Sequence, residues 1–423
     1  MNKNVKQVYI KKIKEYQKHN ELYYDNSSPK ISDKEYDDLK KEILNLEKKY
    51  NFLKSNFSPS KIVGFKPSKN FLKFRHREQM LSLSNAFKEE DLINFEKKIS
   101  NFLNEKIRFE YSVEPKIDGI SASLTYKNGI LKYGASRGDG KEGEIITDNL
   151  KTIKDIPHVI EEKNFPTDIE IRGEVFINKK DFNNIKGNFA NARNAASGSL
   201  RQKDSSETKK IPLNFVAYTF GYFKDNKFRF QSDFLKNLKE WGFKTSKHNK
   251  IIKDISGLLS FHKRFEKDRF ELEYDVDGLV YKVNDLLLQK RLGFTSNAPR
   301  WAIAHKFSAN YAYSEILNID IQVGRTGALT PVAKVKSVNI GGVVVSNATL
   351  HNEDEIIRKD IRIGDTVKIE RAGDVIPHVV EVDFNKRKSF YKKFIFPQKC
   401  PSCGSKTEKE FNKITKKYDA VRR

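Results

Sequence analysis

The stretch Glu114-Pro115-Lys116-Ile117-Asp118-Gly119 sets the reading of everything around it. Before it, Phe109, Tyr111 and Val113 alternate with Arg108, Glu110 and Ser112, the period of a half-buried strand. Asp118-Gly119 then turns the chain, and a second alternating run follows over residues 121–126. Lys116 therefore falls at a strand end, where a sheet can hold a side chain rigidly at a cleft. Burial and cationic neighbours free a lysine amine to act as a nucleophile. Alone, Lys-x-Asp-Gly fits a surface lysine in a tight turn equally well.

The chain has 423 residues, enough for two or three domains. Lys+Arg 80 against Asp+Glu 56 gives a net charge of +24, which suits a polyanionic partner. A general richness in Lys, Asn, Ile and Phe would make a chain basic as well. The two cysteines, Cys400-x-x-Cys403, form no disulfide framework and point to a reducing, cytosolic setting. The N-terminus is polar and no apolar run nears bilayer length, so no membrane partner is expected. Arg137-Gly138-Asp139-Gly140-Lys141-Glu142-Gly143 is glycine-dense, which lets backbone approach a ligand. Its spacing is neither a Walker loop nor a Rossmann fingerprint, which disfavours dehydrogenase-type NAD binding.

Lys116-Ile117-Asp118-Gly119 resembles the adenylation motif of covalent nucleotidyltransferases: DNA ligases, RNA ligases and capping enzymes. Four more stretches resemble NAD-dependent bacterial DNA ligases in particular: Ser136-Arg137-Gly138-Asp139-Gly140, Ile171-Arg172-Gly173-Glu174-Val175, Val276-Asp277-Gly278-Leu279-Val280-Tyr281-Lys282-Val283 and Ala298-Pro299-Arg300-Trp301-Ala302-Ile303-Ala304-His305-Lys306-Phe307. The likeness continues through Val323-Gly324-Arg325-Thr326-Gly327 and Arg371-Ala372-Gly373-Asp374-Val375-Ile376-Pro377, in the family's order and spacing.

That resemblance implies an α+β, multidomain chain. A helical domain over residues 1–72 would bind the nicotinamide mononucleotide half of NAD. A mixed α/β, ATP-grasp-like adenylation domain would cover 73–308, an OB-fold β-barrel 309–390 and an incomplete zinc finger 391–423. Lys116 would attack the α-phosphorus of NAD, carry AMP, pass it to a DNA 5′-phosphate, and so seal a nick with Mg²⁺ or Mn²⁺. Lys282 and Lys306 match the motif lysines at the α-phosphate and would crowd Lys116 with positive charge. Glu114 and Glu174 match the adenosine side, Glu174 through the ribose, with Arg137 beside the same nucleotide. Asp118 and Asp277 suit orienting or metal-linked roles, and Ser82 and Leu83 the edge of the adenine pocket.

Tyr23, Tyr24, Asp33, Lys34, Glu35, Tyr36 and Asp37 match the segment that grips nicotinamide mononucleotide. Structurally, Ser32 and Glu35 form a capping box, and Tyr36, Leu39, Ile43, Leu46 and Tyr50 fall on one helical stripe. Phosphate contacts to nicked duplex DNA would come from Arg193 and Arg201, in a small-residue loop over 189–201, and from Arg269 and Arg325. The glycine-punctuated β runs over 316–384 suit a small barrel. Cys400 and Cys403 supply half of a zinc site, so Zn²⁺ is expected only if a second cysteine pair is present. The family places that pair further on, with helix-hairpin-helix and BRCT domains after it, so the chain reads as truncated. The expectation is a cytoplasmic, nucleoid-associated monomer, strong in self-adenylation and weak in nick joining. The alternatives are a fragment competent only for self-adenylation, a related enzyme using ATP or RNA, or a non-catalytic basic DNA-binding remnant.

Overall fold

The computed structural model describes residues 2–20, 31, 33–50, 52–55, 57–60, 71–105, 108–185, 189, 191–307, 310–324, 327–340, 343–371, 377–412 and 417–422. The chain forms two units, Met1–Ser308 and Ala309–Arg423. Ser32 of the expected capping box lies outside the described residues.

The first unit begins with helices Asn2–Asn20 and Asp33–Lys49. Leu39 and Ile43 of the second meet Tyr9, Ile13 and Tyr16 of the first in a small core, joined by Tyr36, Leu46 and Tyr50. The helical stripe is thus core, and Tyr36 stacks on Tyr16 at 5.4 Å.

Two sheets follow, with strands numbered along the chain. β1 (Lys73–Arg75) pairs with β6 (Glu142–Glu144) as a small ribbon. The five-stranded sheet has the order β2 (Ser84–Ala86), β11 (Ala302–Lys306), β10 (Val276–Val283), β3 (Tyr111–Ile117), β9 (Lys250–Ile252). The four-stranded sheet has the order β5 (Ile130–Ser136), β4 (Ile120–Lys127), β7 (Asp168–Ile177), β8 (Leu213–Phe223). Only Asp118-Gly119 separates β3 from β4, so the chain leaves one sheet and enters the other beside Lys116.

Each sheet has its own core. Helices Glu89–Leu103 and Ile255–Asp268 cover the first, burying Leu92, Ile99, Phe261 and Phe265 against Tyr111, Val113 and Tyr281. Leu150, Phe234, Leu238 and Trp241 close over Leu124, Tyr126, Ile171 and Phe215 of the second. The hairpin at Asn128-Gly129 has φ of 49° and 76°, the left-handed pair that an Asn-Gly turn between right-twisted strands requires.

Residues 192–200 differ from expectation. They form a helix, Ala192–Leu200, rather than a loop. Asn191 caps it by accepting from Asn194 N, and Ala195 and Ala196 are fully buried against the four-stranded sheet. Small residues here allow close helix-to-sheet packing. The glycine-dense turn also differs: a Cβ on Gly138 would lie 1.8 Å from Glu142 O, and one on Gly143 1.8 Å from Ser136 O. These glycines let the two limbs of the turn approach each other, which explains them without a ligand.

The second unit is a closed barrel ordered β12 (Asn310–Val323), β13 (Leu329–Ile340), β14 (Val343–Thr349), β16 (His378–Val382), β15 (Thr366–Arg371). β12 pairs through its first half with β15 and through its second with β13, and helix Glu353–Arg358 lies between β14 and β15 in sequence. This is the OB-fold order. A hairpin, β17 (Lys409–Asn412) and β18 (Lys417–Arg422), is tied to that helix by Lys409 and Arg422 on Glu353.

Candidate active site

Lys116 on β3, Gly278 on β10 and Lys306 on β11 stand in one lateral row across the five-stranded sheet. Directly opposed positions share a face, so the two lysines flank β10 with a glycine between them. Gly278 has no room for more, since a Cβ would lie 2.3 Å from His305 O. The register of β10 shifts between Val276 and Gly278, and such a bulge re-aims the intervening side chain. Asp277 Oδ2 accordingly receives Lys116 Nζ at 2.9 Å. Burial works against the Asp277 charge, but Lys116 and Lys306 outweigh it and hold the carboxyl below its usual range. Its other oxygen, Oδ1, is buried with no hydrogen-bond partner among the described residues. Lys306 Nζ donates to Asp37 Oδ2 at 2.7 Å, and Asp37 also accepts from Asn85 Nδ2 at 3.1 Å. The helical N-terminal piece thereby delivers a buried carboxylate to the sheet's lysine.

Lys282 is elsewhere. It pairs with Ser112, four positions from Lys116 along β3, which puts the two backbones about 13 Å apart. Its Nζ donates to Glu114 Oε2 at 2.7 Å and to Tyr218 O at 2.9 Å. Burial pushes Lys282 below its usual range, and Glu114 pulls it back. The expected crowding of Lys116 by Lys282 is therefore corrected. Strand register separates the two, and Glu114 neutralises the second lysine. Ser112 and Gln231 complete the Glu114 contacts at 3.3 and 3.4 Å.

Glu174 lies on β7, where Ser121 Oγ donates to it at 2.9 Å. Burial pushes its carboxyl up to about 7, against the pull of Arg193, Ser121, Lys116 and Arg137. A Cβ on Gly119 would lie 2.3 Å from Val175 O and 2.8 Å from Glu174 Cγ, so glycine is what admits Glu174 here. Arg193 Nη1 donates to Asp118 Oδ1 at 2.9 Å. A cleft of about 720 Å³ gathers Tyr36, Asp37, Ser82, Leu83, Glu114, Lys116, Arg137, Glu174, Arg193, Lys282 and Lys306.

Among the described residues, Arg201, Arg269 and Glu35 do not line that cleft. Arg201 pairs with Glu144 at 3.0 Å, and the Arg269 guanidinium lies 5.0 Å from the Phe270 and Phe307 rings. Glu35 is exposed on its helix. Asp33 and Lys34 open the same helix, but their side chains, like Tyr23, Tyr24 and Arg325, lie outside the described residues. Cys400 and Cys403 are free thiols in a turn closed by Gly404 N to Cys400 O at 2.9 Å. No cluster of three or more metal-ligating side chains occurs among the described residues.

Sequence reasoning missed Arg172. It is buried beside Glu170, and it holds the carbonyls of Glu78 and Gln79 in the cleft wall, Gln79 at 3.1 Å. Only its place in Ile171-Arg172-Gly173-Glu174 hinted at it.

Two sheets meeting at a strand-end lysine, followed by an OB-fold barrel, define a nucleotidyltransferase architecture. Residues 68–310 match the NAD-dependent DNA ligase adenylation domain, 313–390 the NAD-dependent DNA ligase OB-fold domain, and 3–64 the DNA ligase-like, N-terminal NAD+-binding domain. The chain belongs to the NAD-dependent DNA ligase family. It is 67% identical to a DNA ligase of Pelagibacter ubique over 417 residues, covering 98% of this chain and 62% of that protein. A DNA ligase of Xanthobacter autotrophicus is 48% identical, with 96% of this chain and 58% of that protein covered. The chain thus spans about three fifths of the length of these relatives. The solved ATP-dependent DNA ligase of bacteriophage T7 in complex with ATP is more distant. It shows 16% identity and a TM-score of 0.30 over 71% of this chain and 97% of that one. No helix among the described residues is long and apolar enough to cross a membrane.

Proposed function

We propose that this chain transfers adenylate from NAD to Lys116 and onward to the 5′-phosphate of nicked duplex DNA, in the bacterial cytosol. The observation that carries the reading is the row of Lys116, Gly278 and Lys306, with Asp277 of the adjoining bulge on Lys116. It sets a nucleophile and a second cation on one face of the sheet, both lining one cleft.

Lys116 Nζ forms a bond to the α-phosphorus, and the bond to the oxygen of nicotinamide mononucleotide breaks. The DNA 5′-phosphate oxygen then takes the adenylate and frees Lys116. A 3′-hydroxyl finally displaces AMP, closing the phosphodiester. Lys306 holds phosphate charge through these steps, and Asp277 orients Lys116. Glu174 and Arg137 bind the ribose side, while Glu114 and Lys282 form a buried donor–acceptor pair suited to the base. Asp37 and Tyr36 face the nicotinamide half, which an ATP-using enzyme would not need. The orphaned Asp277 Oδ1 fits a divalent ion, which would neutralise phosphate charge in the transition state. Arg193, held by Asp118 through Nη1, has further guanidinium donors for a DNA phosphate.

The test is incubation with adenylate-labelled NAD and Mg²⁺, or with labelled ATP, followed by a denaturing gel. NAD labels the protein and ATP does not. Equal labelling by ATP would overturn the assignment of the donor.

A further inference from the structure

The outer wall of the barrel carries aromatic rings where alternation places solvent. In the first half of β12, Ser314 and Ile316 are buried while Tyr311 and Tyr313 face out, 57% and 46% exposed. Their rings meet edge to face at 6.3 Å. Each ring has an ammonium over it: Lys368 Nζ is 4.4 Å from the Tyr311 centroid, and Lys386 Nζ 5.7 Å from that of Tyr313. The segment after β16, Phe384-Asn385-Lys386-Arg387-Lys388-Ser389-Phe390, continues the mixture of rings and cations, with Phe384 and Phe390 exposed.

This segment is fixed in place. Arg387 donates to Asp365 Oδ1 at 2.8 Å and Oδ2 at 2.6 Å, and to Asp360 Oδ2 at 2.5 Å, and Asp365 is fully buried. The guanidinium therefore pins Lys386 beside the tyrosines. Acidic neighbours are Glu381 on Lys368 and Asp383 on Lys386, each at 3.5 Å, exposed Glu315 on the same strand, and buried Glu370, directly opposite Tyr311 on β15. Lys388, exposed in the same segment, adds a further cation.

We propose that this face binds an unpaired nucleic-acid strand, with bases stacked on Tyr311 and Tyr313 and phosphates against Lys368 and Lys386. Rings interleaved with ammonium groups are the chemistry of single-strand platforms, because every unpaired base offers a π-face. A duplex hides its base faces and can use only the lysines. The face lies where β12 pairs with β15, not on the second and third strands by which OB-folds commonly take nucleic acid. It is a second surface, independent of the Lys116 chemistry.

The experiment measures anisotropy of a labelled oligothymidylate and of a blunt duplex of equal length, with the full chain. Tyr311→Ala with Tyr313→Ala weakens the single strand at least about tenfold, since stacking is worth ~1–3 kcal/mol per base. The same pair changed to Phe binds as the parent does. The duplex is unaffected by either pair, Lys386→Ala weakens both ligands, and NAD labelling is unchanged throughout. Three results overturn the proposal: no binding of the single strand by the parent, equal binding by the alanine pair, or equal losses for strand and duplex. A change of oligomeric state in the alanine pair without loss of strand binding would assign the face to a protein partner instead.

Discussion

At the scale of single residues, the account rests on Lys116, Asp277 and Glu174. Lys116→Ala is expected to abolish adenylate labelling while leaving the thermal transition within a degree or so, because its side chain is partly exposed in the cleft. Labelling that persists in the alanine variant would sink the nucleophile. Glu174 gives a pH prediction. Its folded value of about 7 lies above the ordinary 4.5, so the neutral carboxyl supports the fold at low pH. That support is complete below about 4.5 and is lost as pH rises toward 7. Between those limits the parent should lose stability relative to Glu174→Gln by no more than about 3 kcal/mol. Urea titrations of both proteins across that range check it, and parallel curves would refute it. Lys116 was legible because Asp118-Gly119 ends its strand in a recognisable way, and Lys306 only through the family resemblance of residues 298–307. The separation of Lys282 was not, because strand register is a matter of tertiary pairing and leaves no local mark.

At the scale of elements, two glycines hold the sheets and the site in one geometry. Gly119→Ala would put a Cβ against Val175 O and Glu174, and Gly278→Ala against His305 O. Val175 O and His305 O are backbone atoms, so backbone must move. Each substitution should cost about 1–3 kcal/mol as overpacking does, and should reduce labelling beyond what lost stability explains. Melting curves set beside labelling rates decide this; full labelling at reduced stability would make the glycines structural only. The strands flanking Lys116 and the Asn128-Gly129 hairpin could be read from alternation and turn chemistry. Helix Ala192–Leu200 could not, because Ala, Ser, Gly and Asn score poorly for either period. The helix stands on the Asn191 cap and on burial of Ala195 and Ala196. The Arg137–Gly143 turn misled for a related reason, since glycines that admit backbone and glycines that admit ligand look alike in sequence.

At the scale of the whole molecule, the helical N-terminal piece contributes Tyr36 and Asp37 to the cleft that holds Lys116. Asp37→Ala should lose labelling from NAD yet still seal a DNA nick that already carries a 5′-adenylate, if the parent seals one, because only the first step needs the nicotinamide half. Equal loss of both activities would return Asp37 to a structural role, anchoring Lys306 and Asn85. With a net charge of +24, duplex binding should fall steeply with salt, its log–log slope counting the phosphates engaged. A flat dependence would remove DNA as the polyanion. The barrel was legible as a succession of short, glycine-punctuated β runs. The contact between Asp37 and Lys306, 269 residues apart in sequence, was not, since each end is ordinary by itself. The central claim is that Lys116 carries the adenylate. Peptide mapping by mass spectrometry after incubation with NAD and Mg²⁺ tests it directly. The account predicts one adenylyl group, on the peptide containing Lys116, released when nicotinamide mononucleotide is added back; an adenylyl group on Lys282, Lys306 or any other residue, or none at all, would contradict it.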